Sequence, residues 1–254
     1  MKITVTIERI YLPVLFVAIL IKTTVAHSQD NKWAIYPSLG IDMGGAVPFP
    51  LSDIPDGSKG TPSLSPNVGL GFSYGFMEKW DVRIEVNYRI LGFTAWADVR
   101  SQPFYFDNQV DVIYFSGETK TNVELRFVEF PLVFNYQAGK NWGLLFGLYY
   151  SRILEGTFET EGDNGVISPN KDVTDNAQLP GIASTSYNFN DKLDKYDAGV
   201  FFGYIHKAGS RFGFRGRLFI GLKSIFVEEF DNIDYEMYQV RLDAGVTYTL
   251  FSGI

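Results

Sequence analysis

Between residues 81 and 90 the chain reads DVRIEVNYRI, with Val82, Ile84, Val86, Tyr88 and Ile90 on one side of a strict alternation and Arg83, Glu85, Asn87 and Arg89 on the other. A period of two is the mark of a β-strand with one apolar and one charged face. The same period recurs in eight segments, at about 33–44, 67–76, 81–90, 126–137, 142–153, 196–206, 212–223 and 238–251, and no segment carries a helical period. Each apolar face holds about five residues, which suits the tilted strands of roughly 9–11 residues that cross a bilayer.

The connections alternate in length. Short turns fall at MEKWD (77–81), AGKN (138–141) and AGSR (208–211), and long links at 45–66, 91–125, 154–195 and 224–237. Outer-membrane barrels join their strands by short periplasmic turns and longer external loops. A soluble meander has no reason to alternate in this way. The long links are polar or acidic, as in ETEGDNG (159–165) and VEEFDNIDYE (227–236), while FYFDNQVDVIYF (104–115) predicts that the third and fourth strands continue outward as a hairpin. The expected fold is all-β: an eight-stranded antiparallel transmembrane barrel over residues 29–254.

Whether the charged face is wet or enclosed turns on glycine. Gly69, Gly71, Gly75, Gly143, Gly147, Gly199, Gly203, Gly221 and Gly245 share the face that carries the charges. Glycine weakens a strand and brings nothing to a solvated surface, whereas a barrel of eight strands has an interior barely wide enough for side chains. Charges and glycines therefore belong to the lumen, and the aromatic-rich face to lipid. Trp33, Trp80, Trp142, Tyr136 and Tyr248 lie near the short-turn or terminal ends, where an interfacial girdle is expected. The competing arrangement is a soluble, lipocalin-like barrel with an apolar cup.

With the charged face inside, Arg83, Glu85, Arg89, Glu129, Asp197, Arg215, Arg217, Lys223, Arg241 and Asp243 form a candidate lumenal ion network. Isolated charges are costly there, so pairing is obligatory. Such a network serves either as a structural plug or as a narrow ion path. Pro131 removes a ladder donor in the middle of the fourth strand and predicts a bulge or distorted pairing.

Charge and the N-terminus narrow the compartment. The net charge is −7 over 254 residues, which argues against general nucleic-acid binding, since neutralising phosphates needs an excess of Lys and Arg. Lys2 and Arg9 precede an apolar run from Ile10 to Ile21, and Ala26-His27-Ser28 follows. That order predicts a secretory signal peptide over 1–28. Its apolar run of about 12 residues makes roughly 18 Å of helix against the roughly 30 Å of a hydrocarbon core, so a transmembrane anchor is the weaker reading. With no Cys in the chain, stability rests on pairing and packing.

Candidate chemistry is sparse. After a cleavage at residue 28, His206 is the one histidine left, and it sits on the lipid-facing parity near a short turn. An interfacial role suits it better than general-base catalysis. No Cys and one His make a zinc site improbable. The carboxylates of ETEGDNG and DNIDYE could take calcium or bridge divalent ions to lipopolysaccharide, but neither has calcium-loop spacing. Neither a catalytic centre nor a cofactor is expected.

FVEFPLVFNYQAGKNWGLLFGLYYSRIL (127–154) and YDAGVFFGYIHKAGSRFGFRGRLFIGLKSI (196–225) resemble the PorT-like family of outer-membrane β-barrel proteins. The resemblance implies an eight-stranded outer-membrane barrel in a Gram-negative bacterium. Most members of that family have no known function, and the named member is linked to protein secretion across the outer membrane. The chain departs from the usual barrel ending, because VTYTLFSGI runs past Phe251 and puts Leu250 on the lipid-facing parity. The expected role is a non-enzymatic envelope protein in contact with outer-membrane lipid and lipopolysaccharide, with a protein partner at its extracellular loops or periplasmic rim. A narrow conductor and, more weakly, an outer-leaflet lipid enzyme are the alternatives.

Overall fold

The computed structural model describes residues 33–49, 58–104, 113–168, 184–188, 190–227 and 236–253. The expected leader at 1–28 and most of DNIDYE lie outside the described residues. In chain order the strands are β1 (Trp33–Phe49), β2 (Lys59–Pro62), β3 (Leu64–Met77), β4 (Trp80–Phe104), β5 (Ile113–Gln137) and β6 (Trp142–Ser168). They continue as β7 (Ser184–Asn188), β8 (Tyr196–Ala208), β9 (Phe212–Ser224), β10 (Glu236–Tyr248) and β11 (Phe251–Gly253). Eight of them, β1, β3, β4, β5, β6, β8, β9 and β10, pair in that order, and β10 pairs back onto β1. Every pairing is antiparallel and the ring is closed, so the barrel wall has no free edge.

The alternation places the two faces as the glycine pattern requires. Leu39, Leu70, Ile84, Leu144, Leu148 and Phe202 are exposed on the outside, while Asp42, Arg89, Glu129 and Arg217 are enclosed. A soluble barrel has the reverse polarity. A continuous apolar exterior of this extent marks a surface that meets lipid. At the short-turn end an aromatic girdle closes the belt: Trp80 packs on Tyr136 with centroids 5.0 Å apart, Trp142 on His206 at 4.4 Å, and Phe212 on Tyr248 at 5.0 Å. His206 is therefore part of this girdle.

The lumen is filled tightly enough to explain its glycines. A Cβ on Gly71 of β3 would lie 2.3 Å from the ring of Tyr36, and one on Gly199 of β8 would lie 2.7 Å from the ring of Tyr149. Both glycines leave room for an aromatic side chain on a neighbouring strand.

Beyond the belt the structure exceeds the sequence expectation. β4 and β5 stay paired out to Phe104 opposite Ile113, as the predicted hairpin requires. The fifth predicted segment, expected to stop near residue 153, instead runs as β6 to Ser168, with β7 added along Glu159–Asp163. ETEGDNG is thus strand and not loop. Its inward positions are held by Gly162 and Gly165 against the Phe115 ring, so its alternation carries no apolar signature.

Of the bulge or distorted pairing expected at Pro131, the structure has the distorted pairing. Pro131 stays opposite Tyr149 of β6 with no register shift there, and the β4–β5 ladder skips Glu85 and Val86 before it resumes in register. One further expectation is corrected. At the far end, β10 stops at Tyr248, and the backbone N–H groups of Thr249 and Leu250 donate to the carbonyls of Arg211 and Ile35. Register against β1 slips by one residue, from Ser38 opposite Thr247 to Ile35 opposite Phe251. A one-residue slip exchanges faces. Phe251, which strict alternation would send inward, is 62% exposed and lies on the outer surface beside Leu250.

Candidate functional site in the barrel lumen

The lumen is stacked in three layers. In the middle, Arg89, Arg215, Arg217 and Arg241 face Asp42, Glu85, Glu129 and Asp243. The formal charges cancel. Arg89 bonds Asp42 at 2.7 Å and Glu129 at 2.8 Å, Arg217 bonds Glu85 at 2.8 Å and Asp243 at 3.3 Å, and Arg215 bonds Asp243 at 3.1 Å. Arg241 pairs with Glu129 and donates a further hydrogen bond to Oε1 of Gln239. Tyr36 donates to Glu85 at 3.1 Å, and Asn67 donates to Asp42 at 2.9 Å.

Ring order explains why these pairs matter. β9 stands four strands from β4 around the eight-stranded ring, and β10 stands four from β5, so each pair is diametrically opposed. Arg217–Glu85 and Arg241–Glu129 are therefore braces across the full width of the lumen. None of the paired side chains in this layer is more than 4% exposed.

The wall contributed by β6, β8 and part of β9 is apolar: Leu145, Tyr149, Phe201, Ile205 and Phe219 pack there with Val133 of β5. The guanidinium groups lie over these rings. Arg241 is 4.2 Å from the Phe219 centroid, Arg217 is 5.1 Å from it and Arg89 5.2 Å. A cation over an aromatic face recovers part of the desolvation cost that an acidic partner leaves.

Above this layer, toward the long loops, the lumen is capped by hydrocarbon. Leu91, Phe93, Val123, Leu125, Phe127 and Phe158 converge with Leu193, Ile225 and Phe226. The last three are carried inward by the segments flanking β8 and following β9, joined by a bridge between Leu193 and Phe226 and by the Asp194 N–H to Ile225 carbonyl bond of 2.8 Å. Below the ionic layer, the short-turn end opens into a cavity of about 680 Å³ bounded by Tyr36, Arg83, Ile205 and Thr247.

Of the ten residues expected in the lumenal network, seven meet in the middle layer and three do not. Arg83 is buried but pairs with Asp81 at 2.6 Å, in the floor of the short-turn cavity. Asp197 is buried and accepts a hydrogen bond from Tyr149 at 2.9 Å, with no ion pair among the described residues. Lys223 is corrected outright: it is exposed and pairs with Asp194 at the outer rim. Its parity matches that of Arg215 and Arg217, but β9 has by then risen past the plug. Sequence reasoning left out Asp42, although its position opposite Ile41 and Met43 marks it as inward. It also left out Phe219, Tyr149 and Phe201, because both faces of β6, of β8 and of β9 around Leu218–Ile220 are rich in apolar residues and alternation does not separate them there. Among the described residues, no group of His, Asp and Glu is arranged to hold a metal ion.

Solved structures with a similar outline include Ail, the attachment invasion locus protein of Yersinia pestis, in complex with the heparin analogue sucrose octasulfate. It is 12% identical, the match covers 87% of this chain and 100% of that one, and the TM-score is 0.40. Neisserial surface protein A is 9% identical over 87% and 100%, with a TM-score of 0.39. OprG of Pseudomonas aeruginosa is 13% identical over 87% and 94%, with a TM-score of 0.32. No curated protein matches the chain. The closed ring, the lipid-facing exterior and the enclosed charges agree with the family whose model covers residues 26–227, and the chain belongs to it: the outer membrane protein beta-barrel domain.

Proposed function

We propose that this outer-membrane barrel is a non-conducting, non-enzymatic interaction protein of the envelope, of the PorT-like kind, which serves as an accessory to secretion. The observation that carries the reading is the double closure of the lumen. A charge-balanced layer braced across the diameter lies under a hydrocarbon cap. A conductor needs neither device, because a hydrated path would solvate its charges and be blocked by the cap. The extended sheet of β4, β5 and β6 projects beyond the barrel and offers a rigid external platform. Outer-membrane lipid and lipopolysaccharide surround the belt in this reading, and His206 stays in the aromatic girdle without a catalytic duty.

Planar-bilayer recording of the purified full chain tests the closed lumen. The expected record has no discrete openings at moderate voltage. Truncating the cap and one brace together, as Phe127→Ala with Arg241→Ala, is expected to produce them. Regular openings in the unaltered protein would instead favour the conductor.

A further inference from the structure

The cavity at the short-turn end has no part in closing the barrel. Its size of about 680 Å³ lies within the range of roughly 300–1,000 Å³ typical of ligand sites. It opens to the periplasm, and the ionic layer ends it as a blind pocket.

Its charges are unusual for this chain. The protein as a whole carries −7, but Lys79, Arg83, Lys207 and Arg211 line the cavity against Glu78 and Asp81, and Lys140 stands in the adjoining turn. Asp81 is already committed, bonded to Arg83 at 2.6 Å and to Asn135 at 2.6 Å. Arg211 is held outward against Tyr248, to whose hydroxyl it donates at 2.9 Å. Lys207 differs from both. Its position on β8 has the inward parity of Phe201 and Ile205, it is partly buried, and its ammonium donates to a neutral acceptor, Oε1 of Gln137, at 2.8 Å. No carboxylate pairs with Lys207 or Lys79 among the described residues. A partly buried ammonium with spare donors, aimed into a blind pocket, is half of an ion pair.

Around it the wall supplies neutral hydrogen-bonding groups, Ser73, Thr247, Thr249 and Ser252. Hydroxyls suit the amides of an extended chain. Lipid phosphates at the inner interface face the outer surface of the barrel and do not reach a lumen-directed lysine.

We infer that this vestibule is a receptor site for an acidic, extended peptide segment of a periplasmic protein, with Lys207 as its principal carboxylate-binding residue and Lys79 as a second contact at the mouth. The inference deepens the interaction role proposed above by naming the face and the chemistry of the partner.

The test uses the full chain refolded in detergent micelles and a fluorescein-labelled hexaglutamate, with hexalysine and a Gly-Ser hexamer as controls, read by fluorescence anisotropy. Hexaglutamate alone is expected to bind, with affinity falling as salt rises. Lys207→Glu is expected to weaken it by on the order of tenfold or more and Lys79→Glu by a smaller factor, since inward charges govern dissociation and rim charges mainly the encounter. Lys140→Glu, outside the cavity, reports non-specific attraction and is expected to have little effect. Binding that Lys207→Glu leaves unchanged overturns the proposal, as does equal binding of all three peptides. Displacement of hexaglutamate by inorganic phosphate at equal concentration also overturns it, by showing a site for small anions. Bilayer recordings on the same preparations separate this outcome from that of the closed lumen, because a leaky barrel and an empty vestibule are independent results.

Discussion

Glu129→Gln is expected to lower the unfolding free energy of the refolded barrel by about 3–5 kcal/mol, the range found when one partner of a buried ion pair is removed. Glu129 receives both Arg89 and Arg241, and its side chain is fully enclosed. The amide keeps the shape but leaves the central layer with one uncancelled positive charge. Asp42 remains beside Arg89 at 2.7 Å but only 3.9 Å from Arg241, so Arg241 suffers most. A second change, Arg241→Met, removes the surplus charge and is expected to recover more than half of the loss, because a matched apolar replacement of a buried pair is often close to neutral. Urea titration followed by tryptophan fluorescence measures both. A loss under about 1 kcal/mol for the single variant would mean that water reaches these groups.

The second large effect concerns the outside. Leu148 is 58% exposed on β6, six residues along the strand from Trp142 in the girdle. In a soluble protein, arginine at such a position is harmless. On the lipid face near the bilayer midplane it is expected to cost about 2–4 kcal/mol. Leu148→Arg is therefore expected to shift the urea midpoint downward in lipid vesicles, whereas Glu161→Arg, on the exposed face of the external extension of β6, is expected to change it little. Equal tolerance at both sites would remove the lipid-facing assignment.

The fold was largely legible in the sequence because a closed barrel repeats one local rule. Each strand declares its faces by parity, and the opening DVRIEVNYRI sits in β4 as read, with Arg83, Glu85 and Arg89 enclosed. Strand ends were less legible where glycine replaced an apolar side chain, as at Gly162, or where a one-residue slip reversed parity, as before Phe251. The candidate site was legible in most of its charged members but not in its pairing. Arg217 meets Glu85 because closure sets β9 across from β4, a relation that no local window contains. Lys223 shows the converse limit: parity fixes the side of the sheet on which a residue lies and says nothing of height, and Lys223 stands above the plug. The vestibule was not legible at all, since its wall is assembled from two turns, several strand ends and both ends of the barrel chain.

All of these assignments depend on which face of the sheet meets lipid. The chain has no cysteine, so a single nitroxide placed through Leu148→Cys reports that face without background. In lipid vesicles the spin label is expected to collide with dissolved oxygen far more often than with a water-soluble nickel chelate, as a mid-bilayer exterior position must. Dominant collision with the nickel chelate would put water where the barrel requires hydrocarbon, and the inverted polarity would be wrong.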